Sequence, residues 1–332
     1  MGSKKLESVA IVGAGMAGVS CAAALRYDVP RLKIFEKMPS AGGRMCSFRA
    51  GEHQYDGGAQ YFTARSQAFQ QQIAQWKQNW LVAEWEAWLV DLHLGEALSR
   101  EDGAARYVGR PVMQSCIEDM ADLSEVQYQA DVGKIAHIGE RWELSGVSGE
   151  QFGDFDAVVI AVPAPQALPL LQGAPRLAKA VQSVQMMPCW SVMLAFEQPL
   201  NLGFDAAFLV MPKLTWAARD SSKPDRQDGE VWVLHGSPEW SNAHPEIEPI
   251  DVVMQFLQDF ELATRRKLPM PAYVDARFWP VALTVNPLPE GHSYDPELKL
   301  GLCGDWCRMS RVEGAYLSGI SLAAELLKYS RS

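Results

Sequence analysis

The turn Gly13-Ala14-Gly15-Met16-Ala17-Gly18 constrains this chain more than any other stretch of it. It follows a short apolar run, Ser8 to Val12, that reads as a strand, and it opens an Ala-rich segment from Met16 to Arg26 that reads as a helix. In that setting G-x-G-x-x-G has a physical meaning. The first glycine permits the tight turn, the second lets backbone approach a pyrophosphate, and the third lets helix pack close to strand. The helix N-terminus offers unpaired N–H groups and partial positive charge to phosphate. Arg31 to Glu36 reads as a second strand, and Glu36 closes it 23 residues after Gly13 (36 − 13). A carboxylate there accepts hydrogen bonds from an adenosine ribose and disfavours a 2′-phosphate. This strand–helix–strand unit starts a parallel α/β sheet that binds a dinucleotide. Its cofactor-binding candidates are Gly13, Gly15, Met16, Ala17, Gly18, Glu36 and the following Lys37.

Bulk properties remove several other classes. With 332 residues, roughly two domains are expected. Hydrophobic residues at 48% and charged residues at 21% exclude a wholly disordered chain and a collagen. A net charge of −10 with no basic block argues against a nucleic-acid partner. No apolar stretch approaches the roughly 18 residues of a membrane span, so no membrane partner is expected. The start, Met1 to Glu7, has two lysines but no apolar core, so it does not read as a signal peptide. The six cysteines are scattered, which predicts reduced thiols and a cytoplasmic location. Cys303 and Cys307 stand four apart, but His53, His93, His137, His235, His244 and His292 show no metal spacing, so no metal is expected. Nothing in the sequence specifies an oligomeric state.

Along the chain, Ser66 to Asn79 reads as a helix with Phe69, Ile73 and Trp76 on one face, and Met113, Cys116, Ile117 and Met120 mark another. Gln127 to Val132, Arg141 to Ser145 and Asp156 to Val162 read as a three-stranded excursion. Trp190 to Phe196, Phe208 to Met211 and Val231 to His235 are β-rich, Ile250 to Leu262 is an amphipathic helix, and the end returns to strand (Leu298 to Cys303) and helix (Gly314 to Lys328). The expected architecture is α/β. A discontinuous Rossmann-like domain (1–65, 100–170, 290–332) carries an inserted, mostly β substrate domain (66–99, 171–289).

Two further elements choose between nicotinamide and flavin dinucleotides. Gly42-Gly43-Arg44 follows the acidic strand and resembles the G-G-R element of flavoproteins of the amine-oxidase superfamily, with Arg44 offering a guanidinium fork to phosphate or flavin edge. Far along, Gly304-Asp305 ends a strand, and Val312-Glu313-Gly314-Ala315 opens a helix whose dipole favours negative charge on a reduced flavin. In that superfamily the carboxylate at the Asp305 place bonds the ribityl chain or pyrophosphate. This implies an FAD-binding domain of the amine-oxidase/p-hydroxybenzoate hydroxylase type.

The resemblance then narrows. Asp56-Gly57-Gly58-Ala59-Gln60-Tyr61-Phe62-Thr63-Ala64-Arg65 resembles the D-x-G-A-Q-Y-F-T-A-R stretch of bacterial renalases. Ala161-Val162-Pro163-Ala164-Pro165-Gln166, Trp216-Ala217-Ala218-Arg219-Asp220-Ser221-Ser222-Lys223-Pro224, Trp232-Val233-Leu234-His235 and Cys303-Gly304-Asp305-Trp306-Cys307 resemble further family strings in the same order. The resemblance implies a noncovalent FAD oxidase. Such enzymes oxidise the 1,2- and 1,6-dihydro isomers of NAD(P) to NAD(P)+, and oxygen reoxidises the flavin to give hydrogen peroxide. It adds Gly43, Ala59, Gln60, Tyr61 and Val132 to the cofactor-binding candidates. It makes Tyr61, Asp220, His235 and Trp279 the catalytic candidates, with Trp216, Trp232 and Trp240 facing the substrate. Arg219, Lys223 and Arg226 are the candidate cations for its phosphates. Two departures fall in the substrate half. Asp220 replaces a family Asn, and Arg277-Phe278-Trp279-Pro280-Val281-Ala282 matches the family poorly. The competing readings are an amine oxidase of the same superfamily and a non-enzymatic FAD-binding redox protein.

Overall fold

A computed structural model describes residues 5–331; residues 1–4, part of the Met1 to Glu7 stretch read above, and Ser332 lie outside that range. Two sheets organise the chain. The first has six strands in the order Ser293–Asp295, Leu300–Leu302, Ala157–Ile160, Ser8–Val12, Arg31–Phe35, Glu125–Gln127, parallel except for the first pair. Its central strands, Ser8–Val12 and Ala157–Ile160, are buried at every position, as strands covered on both faces must be. Helices Met16–Leu25 and Val312–Arg331 cover one face. They touch so closely that a Cβ on Gly319 would lie 2.2 Å from Ser20 Oγ and 2.3 Å from the Ala17 carbonyl oxygen. Both helix N-termini are thereby fixed at the same edge of the sheet.

The other face is covered by a three-stranded antiparallel sheet, Val132–Ile138, Arg141–Gly146 and Gln151–Phe155. This corrects the expected excursion. Asp156 to Val162 contributes to the main sheet, and Gln127 to Val132 splits into the end of a main-sheet strand and a connector. The continuous apolar run Ala157-Val158-Val159-Ile160 suits a doubly covered strand and not a half-exposed one.

The second sheet has seven strands, ordered Tyr273–Thr284, Met186–Phe196, Glu230–Gly236, Leu214–Arg219, Ala206–Leu209, Leu89–His93, Glu96–Ser99. Helix Pro249–Thr264 covers one face through Val252, Val253, Phe256, Leu257 and Phe260. The opposite face lies against the segment running from Phe48 through Tyr61. No helix among the described residues is long and apolar enough to cross a membrane.

Candidate active site

At the first glycine turn, Gly13 N–H donates to the Phe35 carbonyl (2.8 Å), joining the first two strands. A Cβ on Gly18 would sit 1.9 Å from the Gly13 carbonyl oxygen, whereas one on Gly15 would meet nothing within 4 Å. The helix that Met16 and Ala17 begin therefore points its first N–H groups at open space beside Gly15. Glu36 is buried, and its oxygens accept from Ala14 N (2.7 Å) and Met38 N (2.9 Å). Lys37 is exposed, with Nζ 3.4 Å from Gln166 Oε1. The second turn abuts the first: a Cβ on Gly43 would lie 3.4 Å from Gly15 Cα. Arg44 donates to both oxygens of Asp305 (2.5 and 3.1 Å), and Thr284 Oγ1 adds a bond of 3.0 Å to that carboxylate. Both ends of the chain are thus clamped at one place. Val132 is buried at the start of its strand, packed with Val12 and Phe35 among others. These residues fit a dinucleotide: two glycine turns, an open helix N-terminus and a carboxylate at the ribose position.

At the second helix, Glu313 Oε1 accepts from Arg65 N (3.0 Å) and Ser66 N (2.6 Å), while its Oε2 is buried with no partner among the described residues. Burial works to raise this carboxyl, but the Ser66 and Arg65 donors hold it below its usual range. Val312, Gly314 and Ala315 complete the first turn of this helix.

Ala59 N donates to the Arg44 carbonyl (2.9 Å), so the segment Asp56–Tyr61 passes directly over the second glycine turn. Beneath it lies a buried ionic cluster. Lys223 Nζ donates to Asp220 Oδ1 (2.6 Å), Asp56 Oδ2 (3.0 Å) and Gln60 Oε1 (3.2 Å), and Arg226 donates to Asp56 Oδ2 (2.6 Å). Burial opposes ionisation of both carboxyls. At Asp56 the charges of Lys223 and Arg226 win and hold it far below its usual range. At Asp220 burial and the Asp56 charge win, and its carboxyl is raised. Asp220 Oδ2 is buried and makes no hydrogen bond among the described residues.

The sheet face under this segment presents one row of side chains in register across six strands. Asp91 pairs with Phe208, Phe208 with Trp216, Trp216 with His235, His235 with Ser191, and Ser191 with Arg277. The Tyr61 ring lies 5.7 Å from Trp216, and Trp279 Nε1 donates to the Gly57 carbonyl (3.0 Å). His235 is pushed down to about 4 by burial and then by Lys223, against the Gly57 carbonyl, so it is neutral at pH 7.

The sequence pattern of the flavin containing amine oxidoreductase family matches residues 78–327, and an NAD(P)-binding Rossmann-like pattern matches residues 11–76. The chain belongs to the flavin containing amine oxidoreductase family. It is 24% identical to renalase of Mus musculus over 347 residues, covering 98% of this chain and 100% of that protein. Its fold matches an Exiguobacterium sp. 255-15 protein assigned as a candidate protoporphyrinogen oxidase (TM-score 0.78, 14% identity, 97% of this chain and 99% of that one). It also matches a redesigned putrescine oxidase (TM-score 0.76, 14% identity, the same coverages). The chain is a renalase-like flavin oxidoreductase with a Rossmann-like domain, and its cofactor is FAD.

Within this flavoprotein several expected residues sit elsewhere. Trp232 and Trp240 pack against helix Pro249–Thr264 on the far side of the sheet: Trp232 because side chains alternate along its strand and its position falls on that parity, Trp240 because it lies in the short helix Pro238–Ala243 that follows. Gln60 turns its side chain into the ionic cluster, where Nε2 also donates to the Gly58 carbonyl (3.1 Å). None of the three candidate phosphate cations is free. Arg219 pairs with Asp205 (2.5 Å), Lys223 is enclosed, and Arg226 is held by Asp56 and the Gly109 carbonyl. A buried cation needs a buried anion, and those anions are already spent on one another. Reasoning from sequence passed over Ser191, Asp56 and the partnering role of Lys223. Asp56 and Lys223 stand in the motif strings and were findable there. Ser191 carries no local signal, since only strand register brings it beside His235.

Proposed function

We propose that this flavoprotein oxidises the 1,2- and 1,6-dihydro isomers of NAD(P) to NAD(P)+. The balance is dihydro-NAD(P) + O2 + H+ → NAD(P)+ + H2O2. Bound noncovalently in this reading, FAD supplies the hydride acceptor and the route of electrons to oxygen. The observation that carries the reading is the centre of the row beneath Gly57–Tyr61, from Phe208 through Trp216 and His235 to Ser191, an aromatic and neutral polar wall in which His235 is uncharged, with the nearby Lys223 already paired. Hydride transfer asks for a donor carbon held in place more than for a proton shuttle. Tyr61 and Trp216 would hold a flat ring, Trp279 would fix the Gly57 carbonyl beside it, and Lys223 would orient Asp220. The likeness to mouse renalase over nearly the whole chain supports the same reading. The two-part division (1–65, 100–170 and 290–332 for FAD; 66–99 and 171–289 for substrate) belongs to this proposal. So does a cytoplasmic location, which six unbridged cysteines favour.

One observation favours a second reading, amine oxidation. Asp220 Oδ2, which accepts no hydrogen bond among the described residues, could receive an ammonium. Lys223 and Arg226 beside it oppose that charge. The test is peroxide release in air from the FAD-loaded protein given borohydride-reduced NAD+, an isomer mixture. Peroxide matching the isomer content, with none from 1,4-NADH or from polyamines and monoamines, is expected. Peroxide from an amine alone would overturn the proposal.

A further inference from the structure

Three adjacent side chains of the sheet row share an unusual property. Ser191 Oγ, His235 Nε2 and Trp216 Nε1 are each shielded from solvent and each lack a hydrogen-bond partner among the described residues. They come from three neighbouring strands, Met186–Phe196, Glu230–Gly236 and Leu214–Arg219, and His235 is in register with both of the others. Directly opposed residues on one face bring their Cβ atoms within about 5 Å. The three side chains therefore line one patch, on the face that Tyr61 and the Gly57 carbonyl overhang. Buried polar groups are nearly always paired, so three orphans side by side point to a ligand that pairs them.

The chemistry of the patch limits that ligand. Trp216 Nε1 only donates, the Ser191 hydroxyl donates or accepts, and neutral His235, whose ring N–H goes to the Gly57 carbonyl, accepts at Nε2. A carboxylate has no hydrogen to give, and an ammonium has no lone pair for Trp216. A primary carboxamide has an oxygen that accepts and two hydrogens that donate. We infer that Ser191, His235 and Trp216 form a subsite for a ring-borne carboxamide, and that Ser191 is a specificity-determining residue. The inference rests on the proposed function, whose substrate ring carries such an amide, and it names the groups that read it.

The test uses the FAD-loaded wild type and Ser191→Ala, mixed without oxygen with the reduced isomers of NAD+ and of its deamidated analogue, which bears a carboxylate. In the wild type the amide form should half-saturate flavin bleaching at about a tenfold lower concentration than the carboxylate form, the scale of one buried hydrogen bond. In Ser191→Ala the half-saturating concentration of the amide form should rise about tenfold with the limiting rate nearly unchanged, and the preference should shrink. Tm should stay level or rise, because an unpaired buried hydroxyl is removed. An unaltered half-saturation in Ser191→Ala, or a fall in Tm with both analogues weakened alike, overturns the subsite and leaves the proposed function standing. A wild type bleached by neither isomer mixture sinks both.

Discussion

In the six-stranded half, the groups proposed to meet the cofactor are backbone N–H groups at two helix ends and glycine turns that nearly touch, Gly15 against Gly43. In the seven-stranded half, the groups facing the site are side chains from six strands, aligned only by register. The polar atoms of the first half are mostly paired within the protein, as Glu36, Arg44 and Asp305 are. Those of the second include four buried atoms, on Ser191, Trp216, Asp220 and His235, with no hydrogen-bond partner among the described residues. In the proposed reading a shared cofactor would be recognised by main chain, which tolerates little variation, and the substrate by side chains that can be exchanged without moving the sheet.

The largest effect should come where the halves are joined. Lys223→Met strips the buried cluster of a cation facing Asp56 and Asp220, and should cost about 3–5 kcal/mol in chemical denaturation. Adding Asp220→Asn should recover part of that loss, since one buried charge goes with it. A single variant within 1 kcal/mol of wild type would break the claim that the cluster staples the halves.

Next, two alanines in the same turn should part company. Gly18→Ala drives a Cβ to within 1.9 Å of a backbone oxygen and should cost about 2–3 kcal/mol along with retention of FAD. Gly15→Ala meets open space, so Tm should hardly move, yet FAD affinity should fall if, as proposed, the pyrophosphate approaches through that space. Equal losses of stability in the two would contradict the assignment.

The substrate half should also respond to pH. Burial holds folded His235 at about 4, below the ordinary histidine value of about 6.5. Between those values the unfolded chain binds more protons, so stability rises with pH and is lost as pH falls through that window. About 1–2 kcal/mol should disappear between pH 6.5 and 5, and His235→Asn should flatten that slope. An unchanged slope would show that the ring is not held neutral by burial.

The smallest effects compare two faces of one sheet. Trp216→Phe should raise the half-saturating substrate concentration severalfold with little change in Tm. Trp232→Phe breaks the bond to Glu230 (2.7 Å) on the far face and should cost about 1 kcal/mol without a kinetic effect. Matching kinetic losses would erase the difference between the faces.

What was legible in the sequence follows the same division. The Gly13–Gly18 turn, Glu36 and the strand–helix–strand unit could be placed because each needs particular residues at fixed local offsets. The apolar run Ala157–Ile160 was recognised as a strand but assigned to the wrong sheet, because apolar periodicity does not say which neighbour covers it. Tyr273–Thr284 was missed as a strand, since it holds Pro280 and its residues are partly buried without clean alternation. Asp220 and His235 could be named from motif strings, whereas Trp232 and Trp240 were put on the wrong face. Ser191 was invisible, for a serine between Trp190 and Val192 becomes notable only when register sets it beside an unpaired histidine.

The most direct measurement is rapid mixing, without oxygen, of the FAD-loaded protein with 1,2-dihydro-NAD, 1,6-dihydro-NAD, 1,4-NADH and a panel of amines, following loss of flavin absorbance. Bleaching at least about 100-fold faster with one or both isomers than with any other compound is the predicted result, a barrier difference of about 2.7 kcal/mol. Bleaching by an amine, or by 1,4-NADH as fast as by the isomers, would contradict the account.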